Sequence, residues 1–285
     1  MNIITGEKIQ KLCSVYIGES DDFYGNPLIA AADKTKHLNI NNINAGFNNP
    51  YLIFCYGHRL EQLAEKIDFF MNDFILFSHN SDFNIKDTFS VKKLLDCIRM
   101  KKWYAQNVCI EHEKLELLPI GIANSQWQHG YLTFMSFYNN LSCTIDMRIN
   151  KNKNIYFNFN IGTNRLKRQD CHDKLIHKLP WLHPVNQSEN LRRLVDYKFC
   201  ICPEGNGADT HRLYEALYLN IVPIVTRYDF IDVLQKYNVP LVVLDKWEDF
   251  DETKLHYEDY VNKFNDPTFL KFINFNNYLL LGNPC

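Results

Sequence analysis

Residues 199–225 read FCICPEGNGADTHRLYEALYLNIVPIV, and the order of residue types along this stretch decides the fold. An apolar run of strand length meets Pro203, a loop carries Gly205 and Gly207, and a polar cluster Asp209–Thr210–His211–Arg212 opens an amphipathic helix. A second apolar run, Ile221–Val225, follows that helix, so the segment predicts a strand–loop–helix–strand unit of a parallel sheet. The two glycines allow a backbone approach that a side chain would forbid. Asp209 or Thr210 can cap the helix and leave first-turn N–H groups at its positive end, where a phosphate is favoured. Arg212 adds a permanent charge in a fork that matches phosphate oxygens.

Arg212 and His211 lie three and four residues before Glu215 and share one helix face with it, whereas Leu213 and Leu217 share another. A carboxylate one turn inside the helix sits about 5 Å further along the axis, which suits two ribose hydroxyls. Taken singly, these residues fit an ordinary cap and a surface ion pair; taken in this order they predict a nucleoside-diphosphate site. The stretch lacks GxxxxGK[ST] and the third glycine of a dinucleotide fingerprint, which disfavours ATPase and dehydrogenase chemistry.

Working outward, short apolar runs at Tyr51–Tyr56, Phe74–Ser78, Val108–Ile110 and Leu115–Ile120 predict strands. Polar stretches at Arg59–Phe70 and Ser90–Trp103 predict the helices between them. In the second half the strands are Ile155–Ile161, Lys198–Cys202, Ile221–Thr226 and Leu241–Leu244, nearly all apolar as in a parallel sheet covered on both faces. Val261–Leu281 predicts a terminal helix interrupted or restarted at Pro267. The polar, aperiodic Met147–Asn154 is read as a linker. The expected organisation is residues 1–150 as an N-terminal α/β domain, 151–262 as a second one, and 263–285 packing back on the first. Two such halves imply a cleft, with ligands at the carboxyl ends of strands.

The chain of 285 residues carries 31 Lys+Arg against 33 Asp+Glu, so it has no overall pull toward nucleic acid or an anionic membrane. Its 46% hydrophobic content excludes a disordered chain. Nine scattered cysteines, mostly in apolar runs and without a CxxC pair, predict buried free thiols and a reducing compartment. No apolar leader and no long apolar stretch is read, so a soluble, cytoplasmic protein without a transmembrane segment is expected.

The run CPEGNGADTHRLYEALYLNIVPIV resembles the donor-binding segment of exostosin-like glycosyltransferases, whose pattern is approximately S-P-x-G-x-G-x-D-T-x-R-x-x-E-A-L-x-x-G-x-x-P-I-V. FILFSHNSDFNI at 74–85 and KWYAQNVCIEHEKLELLPIGIANSQWQHG at 102–130 are similar to small soluble relatives of that family, among them enzymes encoded by large algal and amoebal viruses. The resemblance covers most of 50–245. It departs at Asn220, where the family has Gly, and at Cys202, where it has Ser; Asn also tolerates a left-handed cap.

The resemblance implies a GT-B fold of two Rossmann-like domains and an inverting sugar transfer from a nucleoside-diphosphate sugar, UDP-linked, to a glycan or glycoprotein hydroxyl. Xylose is the sugar it suggests, and the host cytoplasm the setting if the chain is viral. Donor-binding residues would be Glu204, Gly205, Asn206, Gly207, Asp209, Thr210, His211, Arg212 and Glu215, with Arg165 or Arg168 reaching the diphosphate from the loop GTNRLKRQD. A base must take the acceptor proton. Asp82 is the first choice, with His79 second, His58 also available and Asp73 in reserve. His58, Asn80, Trp127 and His129 are the expected acceptor-side residues. Asp249–Phe250–Asp251 lies in an acidic run and reads as a solvated loop, so no metal and no cofactor beyond the nucleotide sugar is expected. The rival readings are a non-catalytic nucleotide-sugar or glycan-binding module and a nucleotide hydrolase or phosphotransferase.

Overall fold

The computed structural model describes residues 2–24, 34–142 and 151–282. These divide into two compact α/β units: unit 1 comprises Met1–Ile120, Asn124–Gln126 and Asn274–Cys285, and unit 2 comprises Gly121–Ala123 and Trp127–Ile273.

Unit 1 is built on β1 (Val15–Gly18), β2 (His37–Asn39), β3 (Leu52–Tyr56), β4 (Phe74–His79), β5 (Met100–Ala105) and β6 (Leu115–Leu117). The strands form one parallel sheet in the order β2-β1-β3-β4-β5-β6, whose direction of winding reverses between β1 and β3. Every residue of β3 and β4 is buried, as continuous apolar strands require when helices cover both faces. The helices are α1 (Gly6–Leu12), α2 (Ser20–Tyr24), α3 (Leu60–Lys66) and α4 (Phe89–Asp96). Thr5 and Thr88 cap α1 and α4 by accepting from Lys8 N and Val91 N. Ile9, Tyr16, Phe54 and Phe77 form the core with Phe275 and Tyr278, each such side chain contributing about 1.5–3 kcal/mol on burial.

Unit 2 is built on β7 (Lys153–Tyr156), β8 (Tyr197–Ile201), β9 (Val222–Thr226) and β10 (Val242–Leu244), parallel and in the spatial order β10-β9-β8-β7. Its helices are α5 (Tyr131–Ser142), α6 (Arg165–Leu175), α7 (Gln187–Leu194), α8 (His211–Tyr218), α9 (Asp229–Gln235), α10 (Glu258–Val261) and α11 (Pro267–Ile273). Asn220 takes φ +54° just past α8, the left-handed conformation expected of it.

Several sequence expectations are corrected. Ser90–Trp103 is not one helix: α4 ends at Asp96, and Met100–Ala105 is strand β5. Val108–Ile110 is not a strand and contributes one isolated bridge, Ile85 to Val108. The strand expected over Ile155–Ile161 leaves the sheet after Tyr156. The linker expected at 147–154 lies outside the described residues up to 150, and its end enters β7. The units divide near 120–127 rather than at 150, and α5 belongs to unit 2. The terminal helix is broken: α11 begins at Pro267 and stays in unit 2, while α12 (Asn276–Leu279) belongs to unit 1, where Phe275 N donates to Asn2 O at 2.8 Å.

Candidate functional site

Past β7 the chain carries Phe157 and Phe159 inward, 0% and 3% exposed. The carbonyls of Asn158 and Asn160 serve two guanidinium groups. Arg212 Nη1 donates to Asn158 O at 3.2 Å and Arg168 Nη1 to Asn160 O at 2.9 Å. Arg168 Nε also donates to Glu204 O at 2.9 Å. Each guanidinium lies over a ring, Arg168 over Phe159 at 5.9 Å and Arg212 over Tyr156 at 5.8 Å. Asn164 joins α6 to the glycine loop: its Oδ1 caps Lys167 N and its Nδ2 donates to Gly205 O at 2.6 Å. A Cβ on Gly205 would stand 3.7 Å from Arg168 Nη2, so this guanidinium borders the loop.

Burial pushes the Arg168 guanidinium down to about 10, and the charge of Arg212 adds to that shift. Burial is the largest single influence on Arg212 and lowers it, but Glu215 at 3.3 Å, Cys200, Cys202 and Tyr156 together outweigh it and hold the group above its ordinary value. Both groups stay charged at neutral pH, two like charges in one wall.

Thr210 is the N-cap residue of α8 but makes no side-chain capping bond. Asp209 turns inward, accepting from Thr210 N at 2.9 Å and from Tyr214 Oη at 3.0 Å. The Thr210 side chain thus leaves the first turn of α8, which follows the glycine loop, without a bond from its N-cap residue. His211 Nδ1 pairs with Gly121 O at 2.8 Å. Glu215 is 5% exposed; Oε1 accepts from Gln187 Nε2 at 2.7 Å and Oε2 faces Arg212. It thus belongs to a buried network that includes Gln187, Asn190 and Tyr156, with lone pairs to spare for a ligand. Glu204 pairs with Lys167 at 3.1 Å, and Arg165 and Asn206 are exposed. A cavity of about 180 Å³ opens beside Glu204, lined also by Pro203, Thr226, Asp245, Lys246 and Trp247. Sequence reasoning missed it because its walls come from the ends of three strands far apart in the chain.

The candidate base residues lie in unit 1, at the carboxyl end of β4. His79 is 2% exposed, with Nδ1 accepting from Asn80 N at 2.8 Å and lying 3.1 Å from Asn80 Oδ1, and Nε2 directed at Pro119 O at 3.2 Å. Asn80 takes φ +58° and donates to Gln10. Asp82 is exposed, and its carboxylate has no partner among the described residues. The backbone on either side of it is held: Gln106 and Asn107 side chains donate to Ser81 O at 3.0 and 2.9 Å, and Asn107 also to Phe83 O at 3.2 Å. His58 pairs with Asp22 at 2.6 Å, and Asp73 with Lys101 at 3.0 Å. Trp127 and His129, expected beside these residues, belong to unit 2, where they are exposed and stack on each other at 6.0 Å.

Asp251 caps a turn by accepting from Thr253 N, and among the described residues no cluster of His, Cys, Asp or Glu has the arrangement of a metal site. No helix of the described residues is long and apolar enough to cross a membrane, and the described cysteines are free thiols. In comparisons with known proteins, no family model matches the chain and no curated protein matches it.

Proposed function

We propose that this chain is a glycosyltransferase that moves a sugar from a nucleoside-diphosphate sugar, UDP-linked, to a glycan hydroxyl with inversion. One observation carries the reading: Arg168, bonded to Glu204 O beside Gly205, and Arg212, on the first turn of the helix that follows this loop, are held on the carbonyls of Asn160 and Asn158, close enough for the charge of one to act on the other. Two guanidinium groups held together repel, and a bound dianion relieves that repulsion while taking their remaining donors. A leaving diphosphate is stabilised by the same charges as it departs, without a divalent ion. Asp82, exposed on a loop pinned by Gln106 and Asn107, is the proposed base. His79 is proposed to brace that loop. The family resemblance supports both the UDP linkage and xylose as the sugar.

A binding module without turnover is the second reading, favoured by the engagement of both His79 nitrogens, which leaves one carboxylate for proton transfer. The test is a panel of UDP- and GDP-sugars with glycan acceptors in EDTA. Acceptor-dependent release of nucleotide supports transfer; binding without release supports the module; release that requires metal and ignores the acceptor supports a hydrolase or phosphotransferase.

A further inference from the structure

Gln106 stands at the carboxyl end of β5 and is 4% exposed. Its amide is committed at one end only. Nε2 donates to Ser81 O at 3.0 Å, while Oε1 has no hydrogen-bond partner among the described residues. Exchanging the two atoms would set Oε1 against Ser81 O, acceptor against acceptor, so the carbonyl is the open end. The committed end repeats a bond already made, since Asn107 Nδ2 donates to the same Ser81 O at 2.9 Å. A buried amide with an unserved acceptor weakens a fold, and an apolar side chain of equal length would not. Packing within unit 1 is thus served as well by methionine; a ligand that brings a hydrogen-bond donor is not.

The place of this amide narrows what the ligand is. Ser81, which it reaches, directly precedes Asp82 and fits against Gly57, where an added Cβ would stand 2.9 Å from Ser81 Cβ. The chain ends of β3, β4 and β5 therefore meet at Ser81, on the side where a parallel sheet takes its ligands. A donor that reaches Oε1 is buried with it. An ammonium would lose its water against a neutral amide, a cost that a hydroxyl does not carry. We infer that Gln106 accepts from the hydroxyl next to the one Asp82 deprotonates, so that the acceptor of transfer is a vicinal diol; the inference rests on the transfer reading above. The Gln106 amide turns from Ser81 O to the ligand, and Asn107 keeps that carbonyl bonded.

The test compares the whole protein with Gln106→Met, which keeps the length and removes both polar atoms. Transfer from UDP- and GDP-sugars is measured to the methyl glycosides of xylose, glucose, galactose and mannose, and to deoxy analogues lacking, in turn, each hydroxyl beside the one glycosylated. One analogue should show kcat/KM about tenfold lower with the unmodified protein, the size of one lost hydrogen bond. Gln106→Met should lose about tenfold on the diol and nothing further on that analogue, so the two losses do not multiply. Its urea midpoint should be unchanged or higher. Deoxy analogues used as well as the diol by the unmodified protein would overturn the inference, and so would losses that multiply. A variant that fails to fold, or that slows every acceptor alike, would make Gln106 a brace for the loop and overturn it too. If the unmodified protein transfers to none of these glycosides, the transfer reading itself has failed, which tells the two failures apart.

Discussion

Arg212 has a structural partner as well as a proposed ligand, and the two roles can be separated. Its Nε stands 3.3 Å from Glu215 Oε2, with the two side chains 16% and 7% exposed. At an effective dielectric of about 20, a pair at that distance attracts by roughly 5 kcal/mol before desolvation. Deleting one partner of such a buried pair costs about 3–5 kcal/mol. Gln187 still donates to Glu215 at 2.7 Å, so Arg212→Ala is expected at the lower end, about 3 kcal/mol by urea unfolding. Loss of nucleotide binding in that variant would be ambiguous. The decisive protein is Arg212→Met with Glu215→Gln, which removes both charges and keeps the volume; its stability should return to within about 1 kcal/mol of the unmodified chain. Affinity for UDP or GDP should stay roughly ten- to hundredfold weaker, because a charge-assisted contact of about 1.5–3 kcal/mol is gone. A double variant that folds and binds nucleotide as tightly as the parent would refute a direct contact.

Four further outcomes are expected. Asp82→Asn should lower kcat by about 10²–10⁴ with donor affinity unchanged; turnover near that of the parent removes Asp82 from the base role. Gly6→Ala should cost about 3 kcal/mol in a denaturant titration, since the added Cβ would collide with Asn80 Oδ1 and stand 2.6 Å from His79 Nδ1; a neutral change would mean that α1 does not pack there. Asn107→Ala should cost about 2–3 kcal/mol through its φ of +57° and the hydrogen bonds to the loop; proteolysis between Ser81 and Phe83 that does not accelerate would count against the clamp. Burial pushes Lys151 down to about 7, partly offset by Asp196. Between that value and its unfolded pKa near 10.4 the unfolded chain holds a proton the folded one has released, so stability should rise with pH across this interval. Lys151→Met should flatten the rise, and a slope unchanged in the variant contradicts the assignment.

The fold was legible where apolar runs were continuous. LIFCY and FILFSH could only be buried strands, and the run from Phe199 to Val225 gives β8, α8 and β9 in the order expected. It failed at β5 for a geometric reason. The register shifts where Phe74 and Ile75 meet Met100 and Lys102, so Met100 and Trp103, three residues apart, both turn inward and imitate helical spacing. The segment 157–160 misled in the opposite way: its apolar side chains are buried as in a strand, but its carbonyls go to Arg168 and Arg212 instead of a neighbouring strand. β1 and β2, four and three residues long, are too short for a periodic signal.

Asparagine was the signal left unread. Every non-glycine residue of positive φ among those described is Asn, at 80, 107, 220 and 238, and Asn160, Asn164 and Asn186 cap 3₁₀ or α-helices. At the site itself, the sequence singled out Arg168, Arg212 and Glu215 and offered an Arg212–Glu215 ion pair on the surface, but not that the pair is buried or that Glu215 is also bound to Gln187. Such a partnership across 28 residues has no spacing rule.

The most direct measurement is a crystal structure of the protein grown with UDP and, separately, GDP. The pyrophosphate is expected within hydrogen-bond distance of Arg168, Arg212 and the first-turn N–H groups of α8, beside Gly205. A nucleotide bound elsewhere on the chain, or crystals at saturating nucleotide with none at that loop, would contradict it.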